Sequence, residues 1–539
     1  MGTYKIMFNG NINYLQKYFN INLLIVIFVS FLLGLKNIII RLSFVPSINI
    51  TKTKMDIPSI PIYMGISGHL IVVTILIVFF LLINILIFKS KYKYIFILFY
   101  IFSSIFLFLN NYSFNAVNNL LTFNLLRQLN EGVTFFSTYY FKFFSIKYFI
   151  ICFWDIPIIH LLLNKLNINK LPKIKKYEKI ICILLILILW VIFIKDAHLK
   201  YRRSCLPLII TSYYGFIPSL ISDYEAYINS DIQPIEPDEQ FKKCIFKDNN
   251  IPSIKFKNIF IIQLESIGSN IIDFKINDKE ITPFLNSFKN KSIFLPRMIS
   301  HHKYGSMDSE FGLLNGKQSS NIGSIYYSST YKYENCLTRI FKNYNFNFYH
   351  GNNGGFFHRD IAYKKMSFNN FYDSKRLWKN SKVKYQKTIN DFIPDHIFFN
   401  IVKKLIKENS CKFKFCFIET ITSHTPFRLY PKNINLEKFT SVDNELIKDM
   451  FISFRYLDQS LKTFVNWIQS NFNNYFLIIF GDHVPVLAEN NYYKACKING
   501  IEYVPCFIYF KDIKPTKINK IYSHINIYYT LNNLMIKKD

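Results

Sequence analysis

The stretch Tyr475–His483, YFLIIFGDH, decides how this chain is read. The unbroken apolar run Tyr475–Phe480 has the length of a strand buried on both faces, and the glycine after it ends the strand. Asp482 and His483 then place two metal-competent side chains together just past its carboxyl end. Further runs share the pattern, at Ile259–Leu264, Ile293–Leu295, Phe346–Tyr349, Phe413–Ile418 and Val504–Phe510. Between them Thr282–Phe288, Asp308–Leu314, Leu337–Asn343 and Glu445–Ser470 read as helices. In the last, Phe451, Phe454, Leu457, Leu461 and Phe464 recur at helical spacing and mark a packing face. Strands alternating with helices predict a doubly wound α/β domain with a mostly parallel central sheet over residues 251–539.

Ligands bind such sheets beyond the carboxyl ends of the strands, and polar residues collect there. Glu265 directly follows the run Ile259–Leu264, His350 ends Phe346–Tyr349, and His424 lies in a short loop after Phe413–Ile418. With Asp482 and His483 they make a carboxylate–carboxylate–imidazole set suited to Mn²⁺ or Zn²⁺. Ser306, in the stretch HKYGSMDSEF, opens a predicted helix, where free backbone N–H groups and the helix dipole favour phosphate. A serine at that position is either an N-cap or a nucleophile activated by a neighbouring metal. Gly305 before it allows close approach of a substrate. His301 and His302 read as solvated loop residues.

The N-terminal part has a different character. Half of the 539 residues are hydrophobic, and most long apolar runs precede residue 196. Stretches at 21–41, 69–88, 93–109, 146–164 and 178–195 are expected membrane spans, the fourth interrupted by Asp155, Pro157 and His160. Lysines cluster at 89–93 and again at 165–176. Placing both clusters inside puts the N-terminus inside and everything after residue 195 outside, for a multi-pass protein of a bacterial cytoplasmic membrane. The expected organisation is thus a transmembrane bundle of about five helices over 1–195, a connector over 196–250 and a catalytic domain over 251–539. The net charge of +30 is spread along the chain with no nucleic-acid motif, so anionic lipid headgroups are its expected partner. Nothing suggests the paired repeats of a transporter. The nine cysteines show no CxxC pair or zinc-finger spacing, and Cys416 and Cys506, inside strand-like runs, are expected core residues.

Seven segments carry a resemblance. Asn258–Ser266 (NIFIIQLES), Thr282–Phe288 (TPFLNSF), Ser306–Phe311 (SMDSEF), His350–Asp360 (HGNNGGFFHRD), Thr422–Phe427 (TSHTPF), Tyr456–Leu461 (YLDQSL) and Phe480–His483 (FGDH) occur in this order. Together they resemble the lipoteichoic acid synthase and phosphoglycerol transferase family, a branch of the alkaline-phosphatase and sulfatase superfamily. The resemblance covers roughly residues 251–512, and membrane spans ahead of the catalytic domain also look like this family. It implies that Glu265, Ser306, Asp482 and His483 hold one divalent metal, usually manganese, with Ser306 also the nucleophile. It implies that His424 and Arg359 hold the glycerol-phosphate of the substrate. Phe357 stands where the family usually has Trp at the pocket wall, and Ser306 where it usually has Thr. His350 either touches substrate or orients its loop.

The implied activity is transfer of glycerol-phosphate from a phosphatidylglycerol-like phospholipid to a cell-envelope glycan or polymer through a phospho-serine. A phosphoethanolamine transferase and a phosphodiester hydrolase share the superfamily's parts. Asp482-His483 continues as Val484-Pro485, where the ethanolamine enzymes typically continue Gly-Glu. Sulfatase chemistry in the strict sense would need a C/S-x-P-x-R element, which Ser306–Glu310 lacks. An inactive scaffold would be expected to have lost a ligand, and all are present.

Overall fold

The computed structural model describes residues 92–117, 145–165, 232–246, 256–302, 305–320, 324–328, 330–380, 392–425, 427–431, 436–485, 497–498 and 501–536, with isolated positions nearer the N-terminus. The chain divides into two compact units, Met1–Arg127 with Tyr140–Ser230, and Gln128–Tyr139 with Asp231–Asp539.

In the first unit the described helices are α1 (Tyr92–Val117), α2 (Ile146–Phe153) and α3 (Ile156–Lys165), which overlap the third and fourth expected spans. Pro157 explains the break between α2 and α3, because a proline ring disfavours helical geometry in the residue before it. Among the described residues no helix is long and apolar enough to cross a membrane. The spans expected at 21–41, 69–88 and 178–195 lie outside the described residues apart from isolated positions. Edge-on contacts of Phe108 with Phe149 and Phe153, at 5.8 and 5.9 Å between ring centres, pack α1 on α2.

Asp155 has a partner within this unit. Lys36 Nζ lies 2.6 Å from Asp155 Oδ1 and also donates to Cys152 O at 2.6 Å and Ser104 Oγ at 3.2 Å. Tyr100 donates to Asp155 Oδ2 at 2.6 Å, and Lys36 and Asp155 are only 3% and 1% exposed. A buried charge left alone costs far more than a matched pair contributes. Lys36→Met and Asp155→Leu are each expected to destabilise this unit by about 3–5 kcal/mol, and the double replacement to recover most of that loss. Thermal unfolding of the detergent-solubilised chain tests this, and additive effects would sink it.

The second unit is built on a ten-stranded sheet. Its main strands are β1 (Asn258–Leu264), β4 (Ile293–Ile299), β5 (Asn345–His350), β7 (Lys414–Glu419), β8 (Tyr475–Gly481) and β10 (Ile501–Phe510). A small hairpin of β2 (Lys275–Ile276) and β3 (Lys279–Glu280) stands apart. Short β6 (Asn370–Tyr372), β9 (Lys497–Ile498), β11 (Thr516–Lys517) and β12 (Tyr522–Ser523) complete the edges. The order along the sheet is β11-β4-β10-β8-β1-β7-β5-β6. From β8 to β6 all neighbours run parallel, and β10 alone turns against both β8 and β4. The carboxyl ends of β1, β5, β7 and β8 therefore open on one edge.

Strand periodicity sorts the core into two layers. Ile259 and Ile261 of β1 face one cluster, with Phe311 of α5 (Met307–Asn315) and Leu531 of α11 (His524–Ile536). Phe260, Ile262 and Leu264 face the other, with α9 (Asp395–Glu408) and α10 (Glu445–Asn471). Phe451, Phe454, Leu457, Leu461 and Phe464 are buried there, as their spacing predicts. Cys416 and Cys506 are buried core thiols, and the described cysteines Cys152, Cys244, Cys336, Cys411, Cys416 and Cys506 are all free.

Residues 232–246, within the expected connector, pack on this unit. Ile235 exchanges backbone hydrogen bonds with Gln318 at 2.9 and 3.0 Å, and Ile245 N donates to Thr530 Oγ1 at 2.9 Å. Ile232, Ile245 and Phe246 join the core.

Candidate active site

Four strand ends bring the polar residues together. Glu265 follows β1, Glu419 ends β7, His350 ends β5, and Asp482-His483 follow β8. Gly481 is required at this junction, since a Cβ there would lie 2.0 Å from Ile267 O. Ser306 arrives from outside the sheet, at the start of α5.

Ser306 occupies the N-cap position of α5, yet its side chain does not cap the helix. Its Oγ donates to Glu265 Oε2 at 2.9 Å and lies 3.4 Å from His483 Nε2. The N-cap reading of this serine is therefore replaced by one in which the hydroxyl turns into the site. Gly305 matters for the same reason. Its φ is +145°, and a Cβ there would meet Phe357 Cζ at 2.5 Å, so the Phe357 ring packs against the backbone just before the nucleophile.

Glu265, Asp482 and His483 each offer a ligand atom within 4.8 Å of the others. His483 Nε2 stands 3.2 Å from Glu265 Oε1 and 3.4 Å from Asp482 Oδ2. Asp482 Oδ1 is committed to the backbone N–H groups of Ser266 and His483, at 2.8 and 2.6 Å, while the buried Oδ2 makes no hydrogen bond. Ser266, at φ +57°, also donates from Oγ to Glu265 Oε1 at 2.8 Å. Burial and the neighbouring Glu265 push Asp482 up to about 8. Against its burial, His483 is raised to about 10 by Asp482 and Glu265, and against its own burial Glu265 is held well below the usual carboxylate range by His483. Two buried carboxylates with an orphaned oxygen between them fit a divalent cation.

Around this set the remaining expected residues fall into two groups. His424 is half-buried, with Nδ1 2.6 Å from Thr425 O. Phe357, 8% exposed, adopts φ +58°, and the Arg359 guanidinium lies 5.3 Å from its ring centre. His350 and Arg359 belong instead to a buried cluster beside the site. Arg359 Nε donates to Glu310 Oε1 at 3.0 Å, and Nη2 to Glu310 Oε1 at 2.5 Å and Glu419 Oε1 at 2.7 Å. His350 Nδ1 lies 3.2 Å from Glu419 Oε2. Burial pushes Glu419 well above the ordinary range, and burial with the Arg359 charge holds His350 well below it.

Sequence reasoning gave Glu310 and Glu419 no role. Glu419 follows an apolar strand just as Glu265 does, so the same signal was present. Glu310 lies in the SMDSEF segment, but nothing local points it at Arg359. The expectation of solvated histidines also needs correction. His301 and His302 are half-buried, and the His302 ring stacks on His483 with centres 4.1 Å apart, because the loop after β4 runs over the end of β8.

Comparisons with known proteins agree with this geometry. Lipoteichoic acid synthase 2 of Bacillus subtilis (strain 168) is 27% identical over 300 residues, covering 52% of this chain and 45% of that protein. Lipoteichoic acid synthase of Staphylococcus aureus (strain USA300) is 29% identical over 272 residues, covering 49% and 41%. The chain thus spans just under half the length of these curated relatives. Among solved structures, the integral membrane protein lipooligosaccharide phosphoethanolamine transferase A from Neisseria meningitidis shares the fold at a TM-score of 0.53 and 14% identity, covering 94% of this chain and 95% of that one. The Sulfatase family model matches residues 257–537, more than half of the 539 residues. The chain therefore belongs to the sulfatase family, within which it is similar to the lipoteichoic acid synthases.

Proposed function

We propose that the chain is a membrane-anchored phosphoglycerol transferase. Its donor is an anionic, phosphatidylglycerol-like phospholipid, and its acceptor a hydroxyl of a cell-envelope glycan or polymer. The observation that carries this reading is the direction of the Ser306 hydroxyl, which donates to Glu265 at 2.9 Å and leaves the helix uncapped. Membrane anchoring is supported by the apolar runs before residue 196 and the lysine clusters at 89–93 and 165–176, which favour an extracytoplasmic catalytic domain. The relatives named lipoteichoic acid synthase support the substrate class.

Glu265, Ser306, Asp482 and His483 would hold one divalent cation, Mn²⁺ or Zn²⁺. Bound there it would lower the pKa of the serine hydroxyl and offset phosphate charge. The hydrogen bond to Glu265 fixes the Ser306 rotamer and turns its proton away from the attacking lone pairs. Oγ attacks the donor phosphorus, forming the phospho-serine ester as the bond to the diacylglycerol oxygen breaks. The proton lost by serine is balanced by the one diacylglycerol takes up. An acceptor hydroxyl then enters in line and releases Ser306. His424 and His350 would hold phosphate and headgroup oxygens, with Phe357 as the pocket wall and Arg359 fixed beside them.

Intact-protein mass spectrometry of chain incubated with fluorescent phosphatidylglycerol and Mn²⁺ tests the reading. A glycerophosphate adduct mapping to Ser306 is the expected result. An ethanolamine-phosphate adduct on protein purified from cells would replace it with the ethanolamine reading. No adduct, with water as the only acceptor, would favour hydrolysis.

A further inference from the structure

The cluster beside the metal-competent residues has an unusual charge balance. Arg359 is 1% exposed, and its Nε and Nη2 are bound by two carboxylates, Glu310 and Glu419. Tyr363 donates to Glu310 Oε2 at 2.8 Å and Tyr326 at 3.3 Å, so that oxygen is committed as well. Of the Arg359 nitrogens only Nη1 makes no hydrogen bond among the described residues. His350, 1% exposed, has neither ring nitrogen in an aligned hydrogen bond, although Nδ1 stands 3.2 Å from Glu419 Oε2. The cluster lies within electrostatic reach of Glu265, which acts on both His350 and Glu419.

An arginine meant to attract phosphate keeps its charge exposed to the ligand. This one is surrounded by carboxylates that cancel it. What remains is directional: one guanidinium N–H and the imidazole nitrogens, with no net positive field. Such a wall suits hydroxyl groups, which both donate and accept. It disfavours an ammonium, because the carboxylate oxygens able to receive one are already engaged, and an unpaired buried charge is costly.

We propose that Glu310 and Glu419 set headgroup specificity. By cancelling the charge of Arg359 they make this wall a neutral recogniser of an uncharged polyol such as glycerol, and not of a cationic headgroup. The inference rests on the transferase reading of the site and names the headgroup class that reading would take.

The test is calorimetric binding of sn-glycerol-1-phosphate, phosphoethanolamine and inorganic phosphate to the full-length, Mn²⁺-loaded chain. Wild type is expected to prefer glycerol-phosphate over both other probes. That preference over inorganic phosphate should persist between about 0.05 and 0.5 M salt, because it comes from hydroxyl contacts and not from a charged field. Glu310→Gln is isosteric, its amide oxygen facing Arg359 and its NH₂ facing the tyrosine hydroxyls. It uncovers a positive charge and is expected to tighten inorganic phosphate binding roughly tenfold, with the glycerol preference collapsing. Tyr363→Phe keeps the charge while loosening the packing, and should leave phosphate affinity within about twofold.

If wild type prefers glycerol-phosphate but Glu310→Gln leaves all three affinities in place, the inference fails and the transferase reading stands. A preference that fades with salt overturns it without any variant. Wild type that prefers phosphoethanolamine overturns the transferase reading and the inference together.

Discussion

Ser306→Ala is expected to abolish headgroup transfer, lowering turnover by about 10⁴-fold or more while leaving the fold in place. Both halves of that expectation come from the same geometry. The hydroxyl does not cap α5, so its loss removes no helix-terminal hydrogen bond. It donates to Glu265 and sits beside His483, so its loss removes the nucleophile and one of the four groups expected to hold the cation. Ser306→Thr keeps the hydroxyl and is the informative companion, since the resembling family usually has threonine here. Turnover of fluorescent phosphatidylglycerol with Mn²⁺, read beside the thermal transition, separates the cases. An alanine variant with full transferase activity would show that another group attacks phosphorus. An inactive variant whose transition also collapses would show that the serine is structural.

Much of this site was legible because strand ends and apolar runs are local features. The run Tyr475–Phe480 with Gly481-Asp482-His483 predicts a buried strand and a polar tip, and both lie where expected. Boundaries of the main strands agree to within a few residues, since a run that is buried on both faces leaves little room for another reading. What stayed hidden depends on contacts distant in sequence. The edge strands Asn370–Tyr372, Thr516–Lys517 and Tyr522–Ser523 are too short to carry a period and exist only because β5 and β4 offer them a partner. The helix Asp395–Glu408 shows apolar spacing at Phe398, Ile401, Val402 and Leu405, a pattern available in the sequence and left unassigned there. The pairing of Glu310 with Arg359 spans 49 residues and has no local signature, so only the fold reveals it. Lys36 and Asp155 are the same case in the first unit, an interrupted apolar stretch whose charge is answered by a residue 119 positions away, as their numbers show.

Arg359→Met is expected to destabilise the second unit by about 3–5 kcal/mol, the largest stability effect of any single change proposed for this unit. The reason is what the substitution leaves behind. Glu310 and Glu419 are 0% and 1% exposed, and each has an oxygen answered by the guanidinium. Without it, two buried carboxylates face each other, and ionising either incurs desolvation with no partner. Arg359→Lys keeps a charge but loses the planar fork that reaches both carboxylates, so it should fall between wild type and methionine. The triple change Arg359→Met, Glu310→Gln, Glu419→Gln removes charge and partners together and is expected to recover much of the loss. A shift of that size lowers the midpoint of a domain this large by roughly 10 °C, which calorimetry of the full-length chain resolves. If methionine shifts the transition by less than a degree or two, the carboxylates must be reached by water or protonated without cost. In that case Arg359 would not be the group that holds this cluster together.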